Sequence, residues 1–77
     1  MQKENEDLKI VCAQKIAHLI TAARVRKGWS PYTLARRSGV DAGHLSKIED
    51  GFLCPRLDTL QKLCKALELN IVFPLLI

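Results

Sequence analysis

Apolar positions recur at helical spacing in two long segments of the chain. Residues 8–27 read as one amphipathic helix, because the larger apolar residues stand three or four positions apart. A second apolar stripe begins at Leu57 and predicts another helix, with its polar positions in solvent. The first stripe comprises Leu8, Cys12, Ile16, Leu19, Ile20 and Ala23, and the second Leu57, Leu60, Leu63, Cys64 and Leu67. Residues 1–7 are polar and predict a flexible tail before a domain of residues 8–69.

Two short helices with a tight turn between them are predicted in residues 29–51. Ser30 is a favourable N-cap, and Pro31 suits the first helical position because its missing N–H is not needed there. Gly39 supplies the turn, since glycine adopts left-handed backbone angles without strain. Asp41 caps the second helix and Gly51 ends it. Two helices joined by a short turn containing glycine match the description of a helix-turn-helix.

The order of residues adds a family resemblance to this pattern. The chain resembles the Cro/C1-type (Xre) helix-turn-helix family over residues 20–69. The resemblance rests on Gly28-Trp29-Ser30, Leu34-Ala35, Gly39-Val40, Leu45-Ser46, Ile48-Glu49 and Gly51, followed by Pro55 and Leu57-x-x-Leu60. It implies an all-α fold, a small helix bundle of the lambda-repressor-like DNA-binding type, and a double-stranded DNA partner.

The resemblance also implies which residues would read DNA bases. The second helix of a helix-turn-helix enters the major groove with its first turns facing the base edges. Lys47 could donate to guanine, whereas Ala42 could only touch a thymine methyl and Gly43 offers only backbone. The predicted reading surface is therefore sparse. The base-reading candidates are Ala42, Gly43, His44, Ser46 and Lys47.

Phosphate contacts are expected from the start of the first motif helix and from basic residues. Five cations and no acidic residue lie between Thr21 and Arg37, and the net charge is +4. The alternative is a solvated basic face without a partner. Where the family usually has Gln, this chain has Pro31, which supplies neither an amide side chain nor a backbone N–H. The phosphate candidates are Ser30, Tyr32, Thr33, Arg36, Arg37 and Arg56.

Two further sets of residues have predicted structural roles. The resemblance implies that Arg24 pairs with Glu49 and locks the first helix to the recognition helix; the alternative is two surface charges. Three cysteines without a C-x-x-C pair argue against a disulfide framework and a zinc site. Cys12 and Cys64 stand at apolar helical positions and are predicted in the core. No metal or other cofactor is expected.

The last residues change character. Residues 70–77 are apolar on both faces of any strand, and a strand buried on both faces needs covering that one small domain cannot provide. The segment is predicted as a short strand or extended segment that pairs across a dimer, as in HipB-type antitoxins, which it resembles. Pro74 limits the length of such a ladder. The alternative is a strap on its own domain. The interface candidates are Ile71, Val72, Phe73, Leu75, Leu76 and Ile77.

These observations favour a sequence-specific, dimeric DNA-binding transcription regulator that acts as a repressor. A subclass of such regulators is the antitoxin of a toxin–antitoxin pair, with a toxin protein as a second partner. The alternative is a protein-interaction module that keeps the fold but has lost DNA reading. An enzyme is not expected, because no phosphate loop, metal cluster or nucleophile with a paired base is apparent. The polar N-terminus and the short apolar runs predict a cytoplasmic protein without a membrane span.

Overall fold

The chain is described by a computed structural model that covers the backbone of residues 2–69 and the side chains of residues 12–69. This part of the chain contains four helices and no strand: α1 (Gln2–Arg26), α2 (Pro31–Ser38), α3 (Ala42–Glu49) and α4 (Leu57–Leu67). The predicted all-α helix-turn-helix bundle is confirmed. The predicted C-terminal strand of residues 70–77, with all six interface candidates, lies outside the described residues.

Helix α1 begins earlier than the apolar stripe indicated. Its backbone is helical from Gln2, so residues 2–7 continue the helix where an irregular tail was predicted. An apolar stripe indicates which face of a helix packs, and so it does not show where the helix begins. The helix ends at Arg26, one residue before the predicted end, and Gly28 follows with a φ of 73° in the connection to α2.

The buried face of α1 agrees only in part with the predicted stripe over residues 12–26, where the side chains are described. Cys12 is exposed and Leu19 is 41% exposed, so the expectation that both belong to the core was wrong. Within residues 12–26, Ile20 and Ala23 are buried as predicted, and Ala13 and Ala17 are buried in addition. Small alanines allow close approach of the α3–α4 loop: a Cβ on Gly51 would lie 3.9 Å from the Ala17 Cβ. Close backbone approach therefore decides which side of α1 faces inwards.

Predicted capping residues define the two ends of α2 and the start of α3. Ser30 Oγ accepts a hydrogen bond from the Thr33 N–H at 3.2 Å. Gly39 adopts a left-handed φ of 77°, and its N–H donates to the Ala35 carbonyl at 2.9 Å. Asp41 Oδ2 accepts from the N–H of His44 at 3.1 Å, which satisfies a free amide at the start of α3. These local bonds fix where each of the two short helices begins and ends.

One apolar core joins all four helices. Helix α1 packs against α3 and α4, and α2 also packs against α3 and α4. Cys64 is buried there as predicted, and burial raises the pKa of its thiol. Leu57 was predicted to be buried but is 56% exposed, since it stands at the first position of α4 beside the loop. The largest fully buried side chains are Ile20, Leu34, Leu45, Ile48 and Leu63.

Candidate nucleic-acid interface

The N-terminal turns of α2 and α3 lie side by side at one surface of the bundle. A cleft of about 320 Å³ runs between them, and we refer to it as the α2–α3 cleft. Its lining residues come from both helices: Pro31, Tyr32, Ala42, Gly43 and Ser46. The first turn of the predicted recognition helix and the start of the preceding helix thus share one face of the molecule.

Core packing sets the rotation of α3 about its axis. Leu45 and Ile48 are fully buried, so residues about half a turn away must face outwards. Gly43, Ser46 and Lys47 occupy that outer side, and all three are exposed. Three of the five base-reading candidates therefore form one accessible strip along α3.

The two remaining base-reading candidates occupy other positions on α3. Ala42 is half-buried and packs against the hydrophobic core, so it presents only part of its surface to the α2–α3 cleft. His44 is exposed, and its backbone N–H is already used by the cap at Asp41. Its side chain lies about a quarter turn from the outer strip. Ala42 therefore borders the cleft, whereas His44 lies beside the exposed strip formed by Gly43, Ser46 and Lys47.

The polar groups at the start of α2 differ in how far they are available to a ligand. Ser30 Oγ and Thr33 Oγ1 lie 3.0 Å apart in a mutual hydrogen bond, and Ser30 also caps the helix. Tyr32 is 78% exposed, and its side chain lines the cleft. Tyr32 therefore offers the most accessible hydroxyl of these phosphate candidates.

Arg36 and Arg37 lie in the last turn of α2, at the opposite end from the cleft. The Cζ of Arg37 stands 4.7 Å from the centre of the Trp29 ring, and Lys27 Nζ lies 5.2 Å from the same centre. Lys27 also pairs with Glu68, at 3.1 Å. Two of the cations that the sequence grouped as one basic surface are thus placed on an aromatic ring, where they stabilise the link between α1 and α2.

Arg56 occupies the residue before α4 and points into solvent. Its side chain is 88% exposed, and Nε lies 3.7 Å from Asp58 Oδ1, which is a loose surface pair. It makes no capping hydrogen bond to α4. Arg56 therefore keeps an accessible guanidinium at the end of the loop that follows the recognition helix.

Arg24 and Glu49 form a bidentate ion pair. Arg24 Nε donates to Glu49 Oε2 at 2.9 Å, and Nη2 donates to Oε1 at 3.0 Å. Both side chains are largely enclosed, with 13% and 11% exposure. The pair holds the C-terminal end of α3 against α1, and so leaves the N-terminal turn of α3 free at the surface.

The cysteines form an arrangement that the sequence analysis missed. Cys54 is exposed and lies beside Cys12. Partial desolvation raises the pKa of the Cys54 thiol, and the hydrogen bond and the electrostatic interaction with Cys12 raise it further. Residues 12 and 54 are too far apart in sequence for any local pattern to reveal this. Among the described residues, no three His, Cys, Asp or Glu side chains are placed to hold a metal ion.

Two other features of the site were also not anticipated. Pro31 was interpreted as the first residue of α2 and as the loss of a phosphate contact, and it also lines the α2–α3 cleft. Trp29 was placed in the motif without a role, but its ring makes cation–π contacts with Lys27 and Arg37. An aromatic residue between basic segments is a weak signal for such stacking, since the partners are known only once α1 and α2 are oriented.

Comparison with known proteins places these features in a family. A family model described as helix-turn-helix matches residues 20–73, which include α2, α3 and α4. The chain belongs to this family, the Cro/C1-type helix-turn-helix proteins, and so to the DNA-binding transcription regulators. A search of the curated proteins found no match to this chain. No helix in the described part of the chain is both long and apolar enough to span a membrane.

Proposed function

We propose that this protein is a homodimeric repressor that reads a two-fold symmetric operator. The observation that carries the proposal is the outer strip of α3, where Gly43, Ser46 and Lys47 are exposed beside the N-terminal turn of α2. A strip of small and basic residues on a helix with a fixed rotation is suited to enter the major groove. Repression follows if the operator overlaps a promoter.

Base recognition falls mainly to Lys47 in this proposal. Its ammonium group can donate to O6 and N7 of guanine, which is the commonest specific base contact of basic side chains in the major groove. Phosphate contacts fall to Tyr32 at the start of α2 and to Arg56 beyond the far end of α3. These two groups flank the recognition helix and would fix its register on the duplex.

Dimerisation is proposed through the apolar residues 71–77. A single motif with so few reading side chains would select its site poorly, and two copies on one duplex would multiply the preference. Pairing of the two C-terminal segments about a two-fold axis would also remove an apolar edge from water. Under the antitoxin form of the proposal, the same dimer would bind a toxin as well as its operator.

Selection from a random duplex library followed by a salt titration tests the proposal. We expect enrichment of a palindrome with half-sites about 10–10.5 base pairs apart. The logarithm of the affinity should fall with the logarithm of salt by about 0.9 for each phosphate contact. If no duplex is enriched and none binds at low salt, the proposal is wrong.

The second candidate function, a protein-interaction module, is favoured by one observation. Phe52 is 80% exposed in the α3–α4 loop, while its neighbour Leu53 packs against the core. A large exposed aromatic beside an anchored loop suits a protein contact. Phe52→Ser separates the two functions, because it should leave DNA affinity unchanged in a regulator but weaken partner binding in an interaction module.

A further inference from the structure

The α2–α3 cleft differs chemically from the rest of the candidate interface. It is lined mainly by apolar surface, whereas residues next to it in the chain, such as Asp41 and Lys47, carry charges. None of its lining residues is charged, and their only polar side-chain atoms are the hydroxyls of Tyr32 and Ser46. A ligand group that needs strong hydrogen bonds would therefore lose more from dehydration here than it could regain.

The small residues on α3 keep this cleft open. A Cβ added at Gly43 would lie 3.1 Å from Asp41 Oδ2, and apart from the chain neighbours and the backbone of α3 it would meet no other atom within 4 Å. Ala42 contributes a single methyl group to the same wall. The opening lies on the side of α3 that would face the bases, so a small apolar group on a base edge could enter it.

Tyr32 and Pro31 form the opposite wall. The Tyr32 side chain is 78% exposed, which leaves most of a large aromatic surface uncovered at the mouth of the cleft. An exposed ring of this kind favours contact with apolar groups, while its hydroxyl can stay in water or meet a phosphate. The wall thus supplies apolar contact at one end and a polar group at the other.

We infer that the α2–α3 cleft receives the C5-methyl group of a pyrimidine in the major groove, with Tyr32 as its wall and Gly43 providing its space. Thymine is the pyrimidine of unmodified DNA that carries this methyl group, and its major-groove edge is unique for that reason. The inference rests on the proposed function, and makes Tyr32 a specificity-determining residue on α2 rather than on the recognition helix. Sequence selection would then combine Lys47 with one methyl contact in each half-site.

The first experiment removes the methyl group without changing the protein. Each thymine of the selected operator is replaced in turn by uracil, and affinity is measured by fluorescence anisotropy. We expect one position in each half-site to lose about fourfold in affinity, the factor that corresponds to one buried methyl group. At that position, methylated and unmethylated cytosine are also compared: a gain for methylcytosine assigns the cleft to either pyrimidine methyl, and no gain assigns it to thymine.

Three variants connect the methyl effect to the cleft. Tyr32→Ala should bring the thymine-to-uracil affinity ratio close to one, whereas Tyr32→Phe should keep the ratio and weaken binding to both duplexes equally. Gly43→Ala places a methyl group where the base methyl would lie, so uracil should then bind at least as well as thymine. Alanine is a better helix former than glycine, and a melting curve identifies any loss from contact with Asp41.

The outcomes separate the inference from the proposed function. Selective, salt-dependent binding with equal affinity for thymine and uracil at every position would overturn the inference and leave the regulator intact. A methyl effect that Tyr32→Ala does not change would also overturn it, because the contact would lie elsewhere on the protein. Absence of DNA binding at low salt would overturn both.

Discussion

Arg24 connects three parts of the fold through a single guanidinium group. Two of its nitrogens bind the carboxylate of Glu49, which lies 25 residues further along the chain, at 2.9 and 3.0 Å. Its third nitrogen, Nη1, donates to the Trp29 carbonyl at 2.9 Å. The group therefore joins α1, the α1–α2 connection and the end of α3. Because the far end of α3 is fixed, the angle at which its first turn leaves the bundle is fixed as well.

Removing one partner of this pair should strongly destabilise the fold. Glu49→Ala leaves an enclosed guanidinium without its carboxylate, which typically costs about 3–5 kcal/mol in the free energy of unfolding. In a domain of this size that corresponds to a fall in melting temperature of more than about 10 °C. Thermal denaturation followed by circular dichroism measures it.

Matched glutamine substitutions provide the control. Glu49→Gln and Glu68→Gln each remove one negative charge with little change in shape, but Glu49 is 11% exposed and Glu68 is 81% exposed. The surface pair of Glu68 with Lys27 should contribute less than about 1 kcal/mol. Equal melting temperatures for the two variants would show that the Arg24–Glu49 pair adds no more than a surface contact.

The position of Arg37 over Trp29 predicts a role in stability. Arg37→Ala should lower the free energy of unfolding by about 0.5–2 kcal/mol through loss of the cation–π contact. It should also change the fluorescence of Trp29, the only tryptophan in the chain. Arg36→Ala is the matched control, since Arg36 is also exposed in the last turn of α2. If Arg37→Ala keeps full stability but flattens the salt dependence of DNA binding, Arg37 contacts phosphate instead.

Lys47 and Arg56 should have different effects on DNA binding. Lys47→Ala should cost about 1–3 kcal/mol on the selected operator and relax its sequence preference, because a base contact is lost. Arg56→Ala should weaken binding to all duplexes alike. The slope of the logarithm of affinity against the logarithm of salt should become shallower by the amount expected for about one lost phosphate contact. Paired titrations with operator and scrambled duplexes distinguish the two. A uniform loss for Lys47→Ala would assign it to phosphate.

Deletion of residues 71–77 tests the proposed dimer. The shortened chain should be monomeric in light scattering and should lose most of its operator affinity, because two linked half-sites become two separate weak ones. Binding to an isolated half-site should change little, and this serves as the internal control. A truncated chain that remains a dimer would move the interface to the helices or to the loop around Phe52.

The sequence by itself determined where the motif helices begin and end. Ser30, Asp41 and Gly39 act through backbone groups three or four residues away, so their caps follow from local chemistry. The regular spacing of Leu45 and Ile48 likewise fixed which side of α3 is buried, and hence that Ser46 and Lys47 face outwards. The family register followed from these same residues.

Only the tertiary structure decided how the helix faces and charges are used. Ala13 and Ala17 are buried on α1 while Cys12 and Leu19 are exposed, and this follows from how α1 meets its neighbours, such as Gly51 of the α3–α4 loop beside Ala17. The guanidinium group of Arg37 stacks on the Trp29 ring, and this contact depends on the orientation of α1 and α2. The α2–α3 cleft exists because the N-terminal turns of two separate helices lie side by side. Such features depend on distances between segments, and a periodic pattern within one segment carries no information about them.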